Sequence, residues 1–105
     1  MQQWLSRYDG PANRHDKAKS IALDGAGNVY VTGYSSLNIA NYDCATIKYN
    51  SSGVEQWVAR YNGPYNDDDY GNAIAVDGSD NVYVTGESVW GSSTYRDFLT
   101  LKYNS

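Results

Sequence analysis

The run Asn66–Gly71, "NDDDYG", holds the densest group of hard oxygen ligands in the chain. Asp67, Asp68 and Asp69 together could offer carboxylates to Ca²⁺. Their spacing lacks the alternation of an EF-hand loop, so a solvated, turn-stabilising acidic loop is the competing explanation. His15 is the only histidine and Cys44 the only cysteine. Nucleophilic catalysis needs a nucleophile, a base and a group that orients the base. With one His and one Cys such a site would have to form across chains, so no catalytic residue is assigned. His15, in "NRHDK", reads as a solvated loop residue, and Cys44 as a small buried hydrophobe. Tyr65, Tyr70, Trp90 and Tyr95 lie among Asn, Asp and Ser, a mixture that can stack on and hydrogen-bond to sugars. Packing of the same rings against the scaffold competes with that use. Beyond the Ca²⁺ candidate no cofactor is implied.

What positions these residues is a repeat. "WLSRYDGPANRHDKAKSIALDGAGNVYVTG" (Trp4–Gly33) aligns without a gap on "WVARYNGPYNDDDYGNAIAVDGSDNVYVTG" (Trp57–Gly86), with 17 of 30 positions identical. After a segment that differs by one residue in length, "DCATIKYNS" (Asp43–Ser51) matches "DFLTLKYNS" (Asp97–Ser105). The unit is about 53 residues long and occurs twice, with repeat 1 over about 4–56 and repeat 2 over about 57–105. In the first repeat the acidic run is replaced by Arg14-His15-Asp16, so of its three carboxylates only Asp69 recurs.

Each unit reads as four strands: "SIALD" or "AIAVD", then "NVYVTG", then "ATIKYN" or "LTLKYN", then "EQWVARY" with "QQWLSRY" (Gln2–Tyr8) as its counterpart. Asp24 and Asp77 close the first strand and bond their own hairpin turns, "DGAGN" and "DGSDN". Asp43 and Asp97 anchor a strand start. In "NVYVTG", Val29 and Val31 share one face, Tyr30 and Thr32 the other, and neither face is charged. Such strands are covered on both sides. Four-stranded sheets stacked around an axis give that arrangement, and a period of about 40–50 residues is typical of it. A two-sheet sandwich of similar halves is the alternative. The first-to-second and third-to-fourth turns are short. The loops Asp9–Lys19, Tyr34–Tyr42, Asn62–Asn72 and Glu87–Arg96 are longer, share the opposite side and differ between repeats, as binding loops on a common scaffold do.

Composition sets limits. The 105 residues make one small domain, 1–105, and eleven Tyr, three Trp and ten Gly favour strands and turns over helices. A net charge of −4 gives no electrostatic footprint for nucleic acid or an anionic membrane. The longest apolar run is far short of the roughly 20 residues of a membrane span. "MQQWLSRYDG" has no signal-peptide pattern, and a lone cysteine leaves the compartment unknown.

"AIAVDGSDNVYVTGES", the Asp-led "DFLTLKYNS" and the Trp that follows a Ser-Gly turn resemble the bacterial and archaeal seven-bladed β-propeller repeat, over essentially the whole chain. The resemblance implies a propeller scaffold with no shared enzymatic activity, and a secreted or cell-surface parent. Two repeats are too few to close a ring. The strand Gln2–Tyr8 is a fourth strand with no third before it, and Asp97–Tyr103 a third with no fourth after it. The expectation is an all-β chain of two four-stranded blades that completes a six- or eight-bladed propeller by homo-oligomerisation with strand exchange. Residues 2–8 of one copy supply the outer strand of repeat 2 in another. The assembly residues are Trp4, Leu5 and Tyr8 at one end and Leu99, Leu101 and Tyr103 at the other. Seven blades turn by about 51° each, eight by about 45° and six by about 60°. A tetramer of eight blades is therefore preferred, with a trimer of six close behind. The chain reads as a non-enzymatic self-assembling scaffold, a fragment or engineered piece of a larger propeller. A lectin-like or protein-binding module using the long-loop face is the alternative.

Overall fold

Alternating apolar residues between turn signals produce strands, and the computed structural model contains seven of them among residues 2–10, 15–36, 41–62, 68–90 and 95–105, the residues it describes. They are β1 (Asp16–Leu23), β2 (Val29–Ser36), β3 (Tyr42–Tyr49), β4 (Glu55–Tyr61), β5 (Asp69–Val76), β6 (Val82–Trp90) and β7 (Tyr95–Tyr103). β1 to β4 form one antiparallel sheet in chain order, and β5 to β7 a second.

The strands are longer than the sequence pattern suggests. β1 begins at Asp16 and β5 at Asp69, inside segments expected to be loops. The polar letters "DKAK" hide a strand because a bulge between Ala18 and Ser20 breaks the alternation, and the same irregularity recurs between Gly71 and Ala73. The final glycine of each "NVYVTG" serves this bulge. A Cβ on Gly33 would overlap the Lys17 carbonyl oxygen, and one on Gly86 that of Tyr70.

The Asp-led turns form as expected. Asp24 Oδ1 accepts the amides of Ala26 (2.9 Å) and Asn28 (3.0 Å), while Oδ2 accepts the Asn28 side-chain amide (2.9 Å) and the Tyr30 hydroxyl (2.8 Å). Asp77 repeats this with Ser79, Asn81 and Tyr83. These bonds hold both carboxyls down at about 2, with Asn28 the main cause at Asp24 and Asn81 at Asp77. Gly27 (φ 85°) and Asp80 (φ 65°) occupy the same left-handed position of the two turns.

The sheets pack face to face. Tyr30 and Cys44 of the first sheet bury against Val82, Val84 and Leu99 of the second, with Trp57, Tyr61, Ile74, Val76, Leu101 and Tyr103 around them. Approach is close at Gly71, where a Cβ would overlap Thr32 Oγ1 and stand 2.9 Å from Cys44 Sγ. A second cluster, Val29, Ile47 and Tyr49 with Val31, Val58 and Tyr8, lies on the other side of the first sheet.

Candidate functional site

Among the described residues, two sheet faces have no second sheet against them. On β6 and β7 the face opposite the core carries Tyr83, Thr85, Phe98, Thr100 and Lys102, with Phe98 99% exposed. These are the repeat counterparts of Tyr30, Thr32, Cys44, Thr46 and Lys48, of which all but the half-buried Lys48 are buried in the first sheet. The other open face belongs to the first sheet, where Ile21 and Leu23 are 61% and 62% exposed. Their counterparts Ile74 and Val76 pack in the core between the sheets. Each open face therefore matches in sequence one half of the packed junction inside the chain.

Residues 2–10 run across the open face of the first sheet without joining a ladder. Within the single chain Gln2–Tyr8 forms no strand, because a strand needs a hydrogen-bonded neighbour and none lies beside this segment among the described residues. Its side chains nevertheless take positions already seen elsewhere. Trp57 of β4 packs on Tyr103 with ring centroids 5.8 Å apart and planes at 48°, and Trp4 packs on Tyr49 at 6.2 Å and 39°. Trp4 aligns with Trp57 and Tyr49 with Tyr103, so the segment lies on the first sheet as β4 lies on the second. The Trp4 ring rests on Gly53, where a Cβ would come within 2.6 Å of it, and Ser6 Oγ donates to the Gly53 carbonyl at 2.5 Å. Leu5 points to solvent. A cavity of about 650 Å³ remains between segment and sheet, lined by Trp4, Tyr8, Val31, Ile47 and Tyr49 among others.

Arg60 ties this region together. Its Nε donates to Asp43 Oδ2 (3.2 Å), Nη1 to the Tyr8 hydroxyl (2.9 Å) and Ser35 Oγ (3.0 Å), and Nη2 to the Ser35 carbonyl (3.1 Å). Ser35 Oγ in turn donates to Asp16. Burial pushes the Asp43 carboxyl up and Arg60 opposes the shift. The sequence reading placed Asp43 at a strand start but missed its arginine. The signal was there, since Arg7, Ser88 and Asp97 repeat Arg60, Ser35 and Asp43.

The remaining candidates are dispersed. Leu99, Leu101 and Tyr103 turn their side chains into the core between the sheets, and β7 is the edge strand of its sheet. Asp68 accepts the Tyr42 amide (2.9 Å) and the Tyr70 hydroxyl (3.0 Å), and Asp69 accepts Ser88 Oγ (2.6 Å). Asp67 lies outside the described residues, and among those described no three metal-ligating side chains converge. The Tyr70 ring meets the edges of Tyr34 (4.9 Å), which also packs on Tyr42. Tyr65 lies outside the described residues, and of Trp90 and Tyr95 only the backbone is described, paired at the end of β6 and β7. His15 is exposed. Cys44 is fully buried and its thiol is pushed up to about 11 by that burial.

Antiparallel sheets built from one repeated unit, stacked face to face with a single fourth strand laid over the next sheet, define a pair of propeller blades. The comparison with protein families agrees: the Beta-propeller repeat matches residues 6–39 and again 56–88. The chain belongs to that family. The comparison with curated proteins gave no match.

Proposed function

We propose that this chain is a non-enzymatic scaffold that assembles with copies of itself into a closed propeller. The open face of the second blade, with Phe98, docks on the open face of the next copy's first blade. Residues 2–8 of that next copy then pair with β7 as its fourth strand. The observation that carries this reading is the repetition of the Trp57–Tyr103 contact by Trp4 and Tyr49. In this reading the segment is the fourth strand of a preceding blade, and the cavity beneath it is space that the other three strands of such a blade would adjoin. Covering both faces removes exposed Ile21, Leu23 and Phe98 from water and closes the free edge of β7.

Head-to-tail contacts of this kind close into a ring only if the rotation per copy divides the circle. Four copies give eight blades, the smaller change of wedge from seven, and three copies give six. A buried thiol held near 11 is a poor nucleophile, so Cys44 serves this reading as a packing residue. Sedimentation equilibrium or native mass measurement tests the proposal. A mass four times 11.6 kDa is expected, three times that value selects the trimer, and a stable monomer at micromolar concentration overturns the assembly.

A further inference from the structure

The Arg60 site holds residues from four pieces of chain. The arginine lies on β4, Asp43 on β3 beside it, Ser35 on β2 beyond that, and Tyr8 on the segment laid across the blade. All four recur in sequence, and three of the counterparts lie at the second blade. Asp97 and Ser88 face each other across β7 and β6 as Asp43 and Ser35 do across β3 and β2. Tyr61, the counterpart of Tyr8, packs against the cluster between the two blades, as Tyr8 packs against the cluster on the first blade's other side. Among the described residues the second blade has three strands and this acceptor set has no arginine.

The groups are also chemically ready. Ser88 Oγ donates its proton to Asp69 (2.6 Å), as Ser35 donates to Asp16, which leaves its lone pairs free to accept. Asp97 is exposed, and the adjacent Arg96 is engaged with Glu87 at 2.6 Å. Among the described residues Asp97 has no ion-pair partner. Arg7, the counterpart of Arg60, is exposed and likewise has no ion-pair partner among them.

We infer that Arg7 of one copy completes the site formed by Asp97, Ser88 and Tyr61 of the copy before it, and that this inter-chain ion pair fixes the register in which residues 2–8 join β7. The inference rests on the assembly proposed above and adds to it a specific partner for each group. A slip of one residue would turn the Arg7 side chain to the opposite face of the blade, so only one register satisfies the site.

Charge exchange in the full-length chain tests it. Arg7→Asp sets two carboxylates against each other at the junction, and Asp97→Arg sets two guanidinium groups there. Each alone is expected to raise the concentration at which the ring dissociates by about tenfold or more. Both side chains are exposed and without an ion pair among the described residues of the single chain, so the secondary-structure spectrum of the protomer stays unchanged. The double variant carrying both substitutions restores assembly whatever the ring size. Mixing the two single variants also restores it, but only in rings with an even number of chains, since alternation leaves one like-charged junction in a trimer. Wild-type assembly with single variants that assemble equally well overturns the ion pair and leaves the scaffold standing, as does a double variant that fails to recover. A wild-type chain that stays monomeric overturns both.

Discussion

Phe98 occupies in the second blade the position that Cys44 occupies in the first, yet Cys44 is fully buried and Phe98 is 99% exposed. The difference is neighbourhood. Cys44 meets the next blade across Gly71, and Phe98 meets no further blade among the described residues. A phenyl ring left in water at the end of a stack is therefore the side chain on which the proposed assembly is best tested.

Phe98→Asp should therefore separate folding from assembly. Changing so exposed a side chain shifts the stability of the protomer by no more than about 0.5 kcal/mol. Burying the ring at a junction is worth roughly 1.5–3 kcal/mol, so its loss should weaken association about ten- to a hundredfold. Denaturant unfolding of the protomer and sedimentation of the ring read the two effects. A variant that assembles as tightly as the wild type would place the junction elsewhere.

Two glycines offer a test of the packing inside the chain. At Gly71 a Cβ would drive into Thr32 and Cys44, so Gly71→Ala should cost about 1–3 kcal/mol and lower the melting temperature. At Gly78 nothing lies within 4 Å and φ is not positive, so Gly78→Ala should be neutral or stabilising by up to about 1 kcal/mol. Equal effects at the two positions would mean that the blades do not approach at Gly71.

What the sequence revealed followed from local rules. The alternation in "NVYVTG" placed Tyr30 and Val29 on opposite buried faces of β2, but in β6 only the Val82 face is covered and Tyr83 is exposed. The Asp24 and Asp77 turns were legible because an Asx turn needs only residues four apart. β1 and β5 were read too short, since a bulge spoils the period of two and polar Lys17 and Lys19 concealed the strand. The Arg60 site was missed because it joins residues far apart in the chain, and only a comparison of repeats, residue by residue, exposes it. Phe98 went unremarked because position in a blade stack, rather than residue type, decides whether it is covered.

The turns also set a pH dependence. Asp24 and Asp77 sit at about 2 in the folded chain against 3.8 unperturbed, so both favour the folded state while ionised. Their contribution is complete above about pH 4 and is lost as pH falls from there through 2. Asp24→Asn with Asp77→Asn should accordingly be less stable than the wild type at pH 6, with the gap closing toward pH 2. Thermal unfolding followed across that window measures it. A gap that stays constant with pH would show that the ionised carboxylates are not what holds the turns.

Removing residues 1–8 tests the exchange itself. The truncated chain loses Trp4 and Tyr8 from the first blade's open face and has no strand to give β7. The core between the blades, built from Tyr30, Cys44, Val82, Val84 and Leu99, does not involve the segment, so the protomer should keep its β-sheet spectrum. With the edge of β7 open on every copy, a sharp oligomer should give way to monomers and irregular aggregates. A synthetic peptide of residues 1–10 supplies the missing strand in trans. Added in excess it should restore the discrete species, and the same peptide with Trp4→Ala and Arg7→Ala should do so poorly, because it lacks the ring that seats on Gly53 and the counterpart of Arg60. A truncated chain that still runs as the wild-type oligomer would mean that the copies join through their blade faces alone.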